Sequence, residues 1–235
     1  MKNDRAAPTV GAGAAAPAVA LAKLRSQHEE LLRAMSHDLR TPLVALLLQA
    51  QLLERSLDHR DPNQRRAATI IAMTHEFTAI IDRLVETARL EAGIAKLDTE
   101  SVALPELLRD LVSQLPPTEG SRVVLTVDDA FPDIVLDRCR IQTVIKTLLQ
   151  RATRASPGRI GVSLSRCGEE LRLAVRDQGP PAAPLARSLA AETGATYDSI
   201  YLAKVIVEAH GGRLWFETAT DQGNTAIFAL PLSSE

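Results

Sequence analysis

Residues 31–57 of the chain read LLRAMSHDLRTPLVALLLQAQLLERSL, and this stretch decides the first half of the fold. Its apolar residues recur at steps of three and four positions. That spacing is the heptad pattern of a helix that packs along a partner helix. The first seam consists of Leu32, Met35, Leu39, Leu43, Leu46, Ala50, Leu53 and Leu57.

A second apolar seam follows after a short turn. Asp61, Pro62 and Asn63 have the composition of a helix start, and Gly93 is suited to ending a helix. The two seams predict an antiparallel helical hairpin over residues 21–94. Because one hairpin would leave a flank of each seam in water, we expect two copies to form a dimeric four-helix bundle. The second seam consists of Ile70, Met73, Phe77, Ile80, Leu84 and Ala88.

The rest of the chain differs from the two seams in its composition and in the spacing of its apolar residues. Residues 1–20 are rich in Ala and Pro and predict a flexible tail, whereas residues 95–235 alternate between helical and extended patterns. We therefore predict an α+β fold in which helices cover one face of a mixed sheet. Helices are expected at 104–115, 140–155 and 199–209, and strands at 123–127, 134–136, 159–165, 171–176, 213–217 and 225–230.

Composition excludes several classes of function. The net charge is −2 and the basic residues are scattered, which argues against a nucleic-acid partner. No apolar run approaches the roughly 20 residues of a membrane helix. Cys139 and Cys167 lack the spacing of metal ligands or of a disulfide framework. We expect a cytoplasmic protein with no metal site of its own, which receives its signal through a partner.

His37 lies on the first predicted helix but off its apolar face. It is two residues from both Met35 and Leu39, which places it about 200° around the helix. Thr41 lies one turn further along on the same face. An exposed imidazole is a nucleophile toward a phosphoryl group, and the carboxylate of Asp38 can orient the ring and accept a proton. Helix geometry alone equally fits a surface histidine without a function.

The sequence around His37 resembles that of a known family. Residues 36–43, SHDLRTPL, resemble the phosphoacceptor motif (H-box) of sensor histidine kinases without a mismatch. The resemblance implies that His37 is the phosphoacceptor, Asp38 its acid/base neighbour and Thr41 the residue that positions water for phosphatase activity. It also implies a homodimer and a response regulator, whose receiver-domain aspartate exchanges the phosphoryl group with His37.

Further stretches extend the resemblance over residues 23–233. The sequence RLEAG at 89–93 is similar to the end of the family's second dimerisation helix. The sequence VEAHGGRLW at 207–215 is similar to the stretch that leaves the last helix of its catalytic domain, and residues 222–232 to its final hairpin. The resemblance therefore implies that residues 95–235 form a Bergerat-type, ATPase-like α/β sandwich.

The ATP-binding motifs of that family are only partly retained. Alignment places Arg151 at the position of the asparagine that coordinates Mg²⁺, and Thr147 at the position of the family's other asparagine in the same helix. A guanidinium group has no lone pair to offer a metal ion. The glycine-rich run that would approach the phosphates is replaced by residues 197–200, YDSI.

The adenine end of the predicted site is better preserved. Asp177 and Gly179 keep the carboxylate and the glycine that the resemblance assigns to reading the adenine amino group, although Pro181 replaces the following glycine. We interpret this as a vestigial adenine site in a degenerate domain. The expected cofactors are therefore none, with ATP and Mg²⁺ used only if the nucleotide pocket is functional.

Three functions remain open at this stage. The first hypothesis is phosphotransfer or phosphatase activity at His37 without ATP, in which an upstream hybrid kinase or sensor protein is a further candidate partner. The second is an active ATP-dependent autokinase with a divergent pocket. The third is a non-catalytic scaffold that dimerises with an active kinase, for which the intact set of His37, Asp38 and Thr41 would be unnecessary.

Overall fold

The computed structural model describes residues 15–57, 61–128, 131–180, 199–219 and 223–232. The chain divides between Ile94 and Ala95 into two compact units, which we name the hairpin unit and the sheet unit. Within the described ranges, no helix is both long enough and apolar enough to cross a membrane.

The hairpin unit consists of two helices, α1 (Ala15–Ser56) and α2 (Pro62–Glu91), which confirm the predicted hairpin. The carboxylate of Asp61 caps α2 by accepting a hydrogen bond from the backbone N–H of Asn63 at 2.8 Å. Beyond the end of α2, Gly93 adopts a φ of 63°, the left-handed conformation that commonly ends a helix. The turn residues therefore act as their composition predicts.

The start of α1 differs from the prediction. The helix begins at Ala15, so residues 15–20, which were predicted to belong to the tail, are helical. Pro17 is tolerated there because the N–H groups of a helix's first turn have no partner within the helix. The remainder of the predicted tail, residues 1–14, lies outside the described residues.

The first seam separates into two rows that face different surroundings. Leu43, Ala50 and Leu57 are buried or half-buried within a single hairpin, whereas Leu39, Leu46 and Leu53 are exposed. Residues within each row are seven positions apart, as expected for neighbours on one face of a helix. One copy of the chain therefore buries only one flank of this seam.

Only half of the second seam is covered within the hairpin: Ile80, Leu84 and Ala88 are half-buried. On α2 the fully buried positions include Ala67 and Thr74, while Ile70, Met73 and Phe77 of the predicted seam are exposed. The prediction did not include Ala67 and Thr74, because it was based on the large apolar residues. The exposed residues of the two predicted seams form what we call the open row: Leu39, Leu46, Leu53, Ile70, Met73 and Phe77.

The sheet unit confirms the predicted α+β class. Its described elements are β1 (Thr99–Val102), α3 (Leu104–Ser113), α4 (Pro117–Gly120), β2 (Val123–Val127), β3 (Ile134–Asp137), α5 (Arg138–Ala155), β4 (Ile160–Cys167), β5 (Glu170–Arg176), α6 (Ser199–Ala209), β6 (Arg213–Ala219) and β7 (Gly223–Pro231). In the described residues, five strands form a mixed sheet in the order β2-β4-β5-β7-β6. Strand β2 runs parallel to β4, and the other pairs are antiparallel.

The core of this unit lies between the sheet and the helices. Alternate residues of β4 and β5 are buried, and α5 turns Val144, Leu148 and Leu149 inward. Helix α5 contacts α3, α6 and β5, so its register is fixed on several sides. Burial of each such aliphatic side chain stabilises the fold by roughly 1.5–3 kcal/mol. The C-terminal half of α5 is thereby held rigidly beside the end of β5.

Two elements were missed by the sequence analysis. Strand β1 pairs antiparallel with β3 in a separate ladder, and α4 is a single turn after Pro116. Three of the four β1 residues are exposed, so the alternation of polar and apolar residues that indicates a strand is absent. The hairpin predicted around Gly168, by contrast, is confirmed by the antiparallel pairing of β4 with β5.

His210 links the end of β3 to the end of α6. Its Nε2 accepts a hydrogen bond from the backbone N–H of Asp137 at 3.1 Å, and its Nδ1 lies 2.7 Å from the carbonyl oxygen of Ile206. The carbonyl can only accept, so Nδ1 carries the proton and the ring is neutral. Burial lowers the pKa of His210 below its ordinary value, which agrees with this assignment.

We predict that the sheet unit loses stability as the pH falls below about 6.5, the ordinary pKa of histidine. In that range the unfolded chain binds a proton at His210 while the folded chain cannot do so without losing the bond from Asp137. The measurement is urea unfolding at pH 7.5 and pH 5.5, followed by the fluorescence of Trp215, the single tryptophan of the chain.

The control is His210→Phe, which removes this titration and leaves the other histidines in place. Its urea midpoint should fall less between the two pH values than that of the wild type. Asp137 does not confound the comparison, because its effect lies at lower pH. Burial by itself would raise the pKa of Asp137, but bonds from the backbone N–H groups of Arg140 and Asp98 and the Arg140 guanidinium outweigh burial and lower it. Equal losses in both proteins would contradict the prediction.

Candidate functional site

His37 projects from α1 into solvent, and 80% of its side chain is exposed. Its Nδ1 lies 3.4 Å from Oδ1 of Asp38, longer than the roughly 2.7–3.2 Å of an ordinary N–H···O hydrogen bond, so the contact is weak. That contact engages Nδ1, which leaves Nε2 as the ring nitrogen for a reaction with a phosphoryl group. The structure thus brings His37 and Asp38 together as the sequence predicted.

Thr41 lies one helical turn beyond His37. Its Oγ1 donates a hydrogen bond to the backbone carbonyl oxygen of His37 at 2.9 Å. The hydroxyl hydrogen is therefore used within the helix, but the oxygen can still accept a hydrogen bond from a water molecule. Thr41 and His37 share one face of α1, as the four-residue spacing predicts.

A groove of about 760 Å³ runs beside this face between α1 and α2, and we call it the His37 groove. Besides His37 and Thr41, its lining includes three arginines, Arg33, Arg40 and Arg89. Sequence analysis missed these residues, although Arg33, four positions before His37, could have been found from the helical repeat. Asp82 and Glu86 also line the groove, so its charge is mixed, and the arginines outnumber the carboxylates. The excess of positive charge favours a phosphoryl group or an acidic partner surface.

Two of these arginines are held by acidic neighbours. Arg33 donates to Glu29 one turn away at 2.8 Å, and Arg40 forms an ion pair with Asp82 of α2. Both pairs are exposed to solvent, so each contributes little to stability. The two ion pairs fix the directions in which the Arg33 and Arg40 side chains point along the groove.

The second candidate site surrounds Asp177, which follows β5 and is 1% exposed. Its Oδ1 accepts hydrogen bonds from the backbone N–H of Gly179 at 2.8 Å and from the side-chain amide of Asn224 at 3.1 Å. The backbone N–H of Asp177 donates to the carbonyl oxygen of Asn224 at 2.9 Å. Asn224 therefore holds this carboxylate in place from the start of β7, a role that sequence analysis missed.

Two glycines make room for this arrangement. A Cβ atom on Gly179 would lie 2.6 Å from the carbonyl oxygen of Ala155, and one on Gly223 would lie 1.9 Å from the carbonyl oxygen of Asp177. Gly223 also has a φ of 84°, which side chains rarely tolerate. The predicted pair of Asp177 and Gly179 is thus brought together, and both glycines, Gly179 and Gly223, have a steric reason for their identity.

Arg151 reaches the other oxygen of Asp177 from α5. Its Nη1 lies 3.7 Å from Oδ2, which accepts no hydrogen bond within the described part of the chain. The guanidinium carbon also lies 4.9 Å from the ring centre of Phe216 in β6. A cavity of about 390 Å³ adjoins this cluster and is lined by Thr147, Gln150, Arg151, Arg154, Ala155, Ser199 and Ile200. Pro181 and Tyr197 lie outside the described residues.

Comparison with known proteins identifies the family. Residues 27–93 match the His Kinase A (phospho-acceptor) domain. Residues 136–234 match the histidine kinase-, DNA gyrase B- and HSP90-like ATPase family. The chain belongs to the sensor histidine kinase family.

Several sensor proteins are similar to the chain over most of its length. The alginate biosynthesis sensor protein KinB of Pseudomonas aeruginosa is 31% identical over 88% of this chain, which spans 37% of that protein. Sensor protein KdpD of Escherichia coli is 31% identical over 69% of this chain, which spans 19% of it. The chain thus corresponds to well under half of these relatives.

Solved structures share the fold. Full-length ShkA, solved with AMPPNP, superposes with a TM-score of 0.75 at 23% identity, over 88% of this chain and 46% of that one. The histidine kinase ThkA, solved in complex with the response regulator protein TrrA, gives 0.60 at 20% identity, over 91% and 64% of the two chains. Both support a helical hairpin followed by an ATPase-like α/β unit.

The described residues at the expected nucleotide position match only part of what a Mg²⁺–ATP complex needs. The resemblance places a metal-ligating asparagine where this chain has Arg151, and a guanidinium group cannot bind a metal ion. The same guanidinium lies against Asp177, the carboxylate assigned to adenine. Asp177 itself retains a buried acceptor oxygen that fits an amino group. Within the described residues, the fit is therefore lost at Arg151 and kept at Asp177.

We predict that Gly223→Ala destabilises the sheet unit more than Gly168→Ala does. Both glycines have positive φ, so each substitution costs roughly 1–2 kcal/mol in backbone strain. A Cβ on Gly168 meets nothing within 4 Å, whereas one on Gly223 would overlap the backbone of Asp177. Forcing extra atoms into a packed site adds roughly 1–3 kcal/mol.

Urea unfolding followed by Trp215 fluorescence measures both variants against the wild type. The matched substitution at Gly168 separates the strain of the backbone from the collision with Asp177. If the two variants lose the same free energy of unfolding, the close approach of Gly223 to Asp177 is not as described.

Proposed function

We propose that the chain is a dimeric phosphotransfer protein of two-component signalling that works without ATP. In this proposal His37 accepts a phosphoryl group from the aspartate of a receiver domain and returns it to another receiver domain or to water. The observation that carries the proposal is the exposed His37 ring, with Asp38 at Nδ1 and an arginine-lined groove beside it.

The chemistry of transfer follows from the two ring nitrogens. The lone pair of His37 Nε2 attacks the phosphorus of the aspartyl phosphate, so that an N–P bond forms while the P–O bond to the carboxyl group breaks. The carboxylate leaves with the electron pair, and the ring becomes positively charged. The carboxylate of Asp38 then stabilises the proton on Nδ1. Transfer to a second receiver domain reverses these steps.

Hydrolysis requires a water molecule in place of the second carboxylate. The water oxygen attacks phosphorus and the N–P bond breaks. The bonding electron pair returns to Nε2, so the ring becomes neutral and inorganic phosphate is released. Thr41 supports this route because its hydroxyl group donates a hydrogen bond to the carbonyl oxygen of His37, while its oxygen can accept a hydrogen bond from the attacking water. The proposal thus assigns Thr41 to loss of phosphate and not to transfer.

The His37 groove supports a receiver domain as the partner. A phosphorylated aspartate site is anionic, and Arg33, Arg40 and Arg89 line the groove that leads to His37. Val44 and Val85 add apolar surface to the same groove. A mixed basic and apolar surface suits a transient partner that delivers negative charge to His37. The related ThkA was solved in complex with a response regulator, which agrees with this choice of partner.

The open row supports a homodimer. Its large apolar side chains are exposed in a single copy although they continue the heptad pattern, which is typical of a helix that packs against further helices. A second copy related by a twofold axis presents the same row and completes a four-helix bundle. The match to the His Kinase A domain favours this arrangement over another partner.

An ATP-dependent autokinase is the second candidate function. The buried Oδ2 of Asp177 accepts no hydrogen bond in the described part of the chain, so an adenine amino group has an acceptor there. The position of Arg151 opposes this candidate because it supplies no metal ligand. Titration of the wild type with ATP and Mg²⁺ distinguishes the candidates, and micromolar affinity would favour the autokinase.

We predict that alanine substitutions of His37, Asp38 and Thr41 reduce the rate of phosphoryl transfer to different extents, with His37 having the largest effect and Thr41 the smallest. His37→Ala should abolish it, and Asp38→Ala should slow it, because general acid–base help is worth about 10²–10⁴-fold. Thr41→Ala should leave transfer intact and slow only the loss of phosphate to water. The measurement is the exchange of labelled phosphate with a phosphorylated receiver domain, timed separately for transfer and hydrolysis.

All three residues are exposed, so circular dichroism should show unchanged helix content and serves as the control. A His37→Ala protein that still relays phosphate would favour the scaffold hypothesis. A Thr41→Ala protein as inactive in transfer as His37→Ala would show that the role assigned to Thr41 is wrong.

We also predict that Leu46→Ala weakens the homodimer. Leu46 belongs to the open row, and removal of a leucine from an apolar core costs about 2–5 kcal/mol per site. Leu48 is the matched control, because it is 53% exposed against 54% for Leu46 but lies on the opposite side of α1. Sedimentation equilibrium of both variants measures the effect.

The variant Leu48→Ala should associate like the wild type, while Leu46→Ala should dissociate at a higher protein concentration. Thermal unfolding should show the same distinction, since the stability of a dimer depends on its concentration. A wild type that is monomeric at micromolar concentration would contradict the proposal.

A further inference from the structure

Asp177, Arg151 and Phe216 form a cluster drawn from three elements of the sheet unit. The carboxylate follows β5, the guanidinium comes from α5, and the aromatic ring lies in β6. Arg151 lies 3.7 Å from the carboxylate and 4.9 Å from the ring centre. Only 20% of its side chain is exposed. Among the described arginines that contact both a carboxylate and an aromatic ring, Arg151 is the least exposed.

Charge explains why a cation is needed at this position. Asp177 is 1% exposed, and a buried carboxylate is strongly unfavourable unless hydrogen bonds or a counter-charge compensate it. Oδ1 is compensated by Gly179 and Asn224, whereas Oδ2 accepts no hydrogen bond in the described part of the chain. The guanidinium of Arg151 supplies the opposite charge on the side of Oδ2.

Shape explains why an arginine suits the position. A guanidinium group is planar, carries N–H donors along its edge and stacks on aromatic rings. A purine with an exocyclic amino group has the same features, namely a flat face and an N–H edge. The resemblance to histidine kinases assigns the carboxylate of Asp177 to that amino group. Arg151 therefore presents a positive charge to Asp177 on the side where the resemblance expects the amino group, and its flat face to Phe216.

We infer that Arg151 is an internal substitute for the purine, which occupies the Asp177 end of the pocket and lets the sheet unit keep its folded site without a nucleotide. This inference rests on the proposed function, which works without ATP. It adds a structural reason why this chain would not need ATP. It also predicts a latent binding site. In a variant that lacks the Arg151 guanidinium, the buried Oδ2 of Asp177 should accept a hydrogen bond from the N–H edge of an added ligand.

The test is the binding of adenosine by the full chain, measured by isothermal titration calorimetry. Adenosine carries the amino group but neither phosphate nor a need for metal, so it probes this end of the pocket alone. Arg151→Ala should bind adenosine at least tenfold more tightly than the wild type. Inosine, which has an oxygen in place of the amino group, should show no such gain.

Two further variants make the test specific. Arg154→Ala removes an arginine that lines the same cavity but forms no ion pair with Asp177 in the described contacts, and it should bind adenosine no better than the wild type. The double variant Arg151→Ala/Asp177→Asn should lose the gain, because an amide no longer offers the charged acceptor. A gain that survives in the double variant would overturn the inference.

Stability provides a readout that is independent of calorimetry. Arg151→Ala should lower the urea midpoint followed by Trp215, and adenosine should raise the midpoint of that variant but not that of the wild type. If Arg151→Ala does not fold, Arg151→Met keeps the length of the side chain without the charge and is titrated instead. A variant of normal stability that binds no adenosine would overturn the inference.

The outcomes separate this inference from the proposed function. Micromolar binding of Mg²⁺–ATP by the wild type would overturn the inference together with ATP-independence. Absence of adenosine binding in the Arg151 variants, with ATP also unbound by the wild type, would overturn the inference alone. Phosphoryl transfer that survives in His37→Ala would overturn the proposed function while leaving the inference in place.

Discussion

The period of the α-helix governs how α1 can serve several purposes at once. Residues seven apart return to one face, so Leu43, Ala50 and Leu57 are covered within the hairpin while Leu46 and its row face outward. His37 lies on a third face, away from both rows. Because all three faces belong to one helix, the packing of α1 also fixes the direction in which His37 points. The His37 side chain itself is not one of the packed side chains.

A second constraint, the burial of the Asp177 carboxylate, organises the edge of the sheet unit. Its compensation requires Gly179 and Asn224 on one side and a cation on the other, so residues from β7 and α5 meet at the end of β5. Removing one partner of such a cluster is costly because the charge stays buried. The identity of Arg151 therefore matters to the fold of this unit even where no nucleotide is involved.

The parts of the molecule that the sequence predicted are those set by local spacing. The hairpin, the α+β class and the grouping of His37 with Asp38 and Thr41 follow from repeats of one to seven residues. The start of α1 was missed because Ala-rich sequence is weakly patterned, and β1 because its residues are mostly exposed. The contact of Arg151 with Asp177 could not be predicted, since it depends on how α5 packs beside the end of β5.

The two units make different demands on their residues. Exchange of a phosphoryl group with an aspartate needs one nucleophilic nitrogen, an orienting carboxylate and a surface that admits the partner, and the hairpin unit offers all three around His37. Phosphorylation from ATP needs in addition a metal ligand, and the guanidinium of Arg151, at the position where the resemblance expects one, has no lone pair for a metal ion. A shared fold therefore does not fix the reaction.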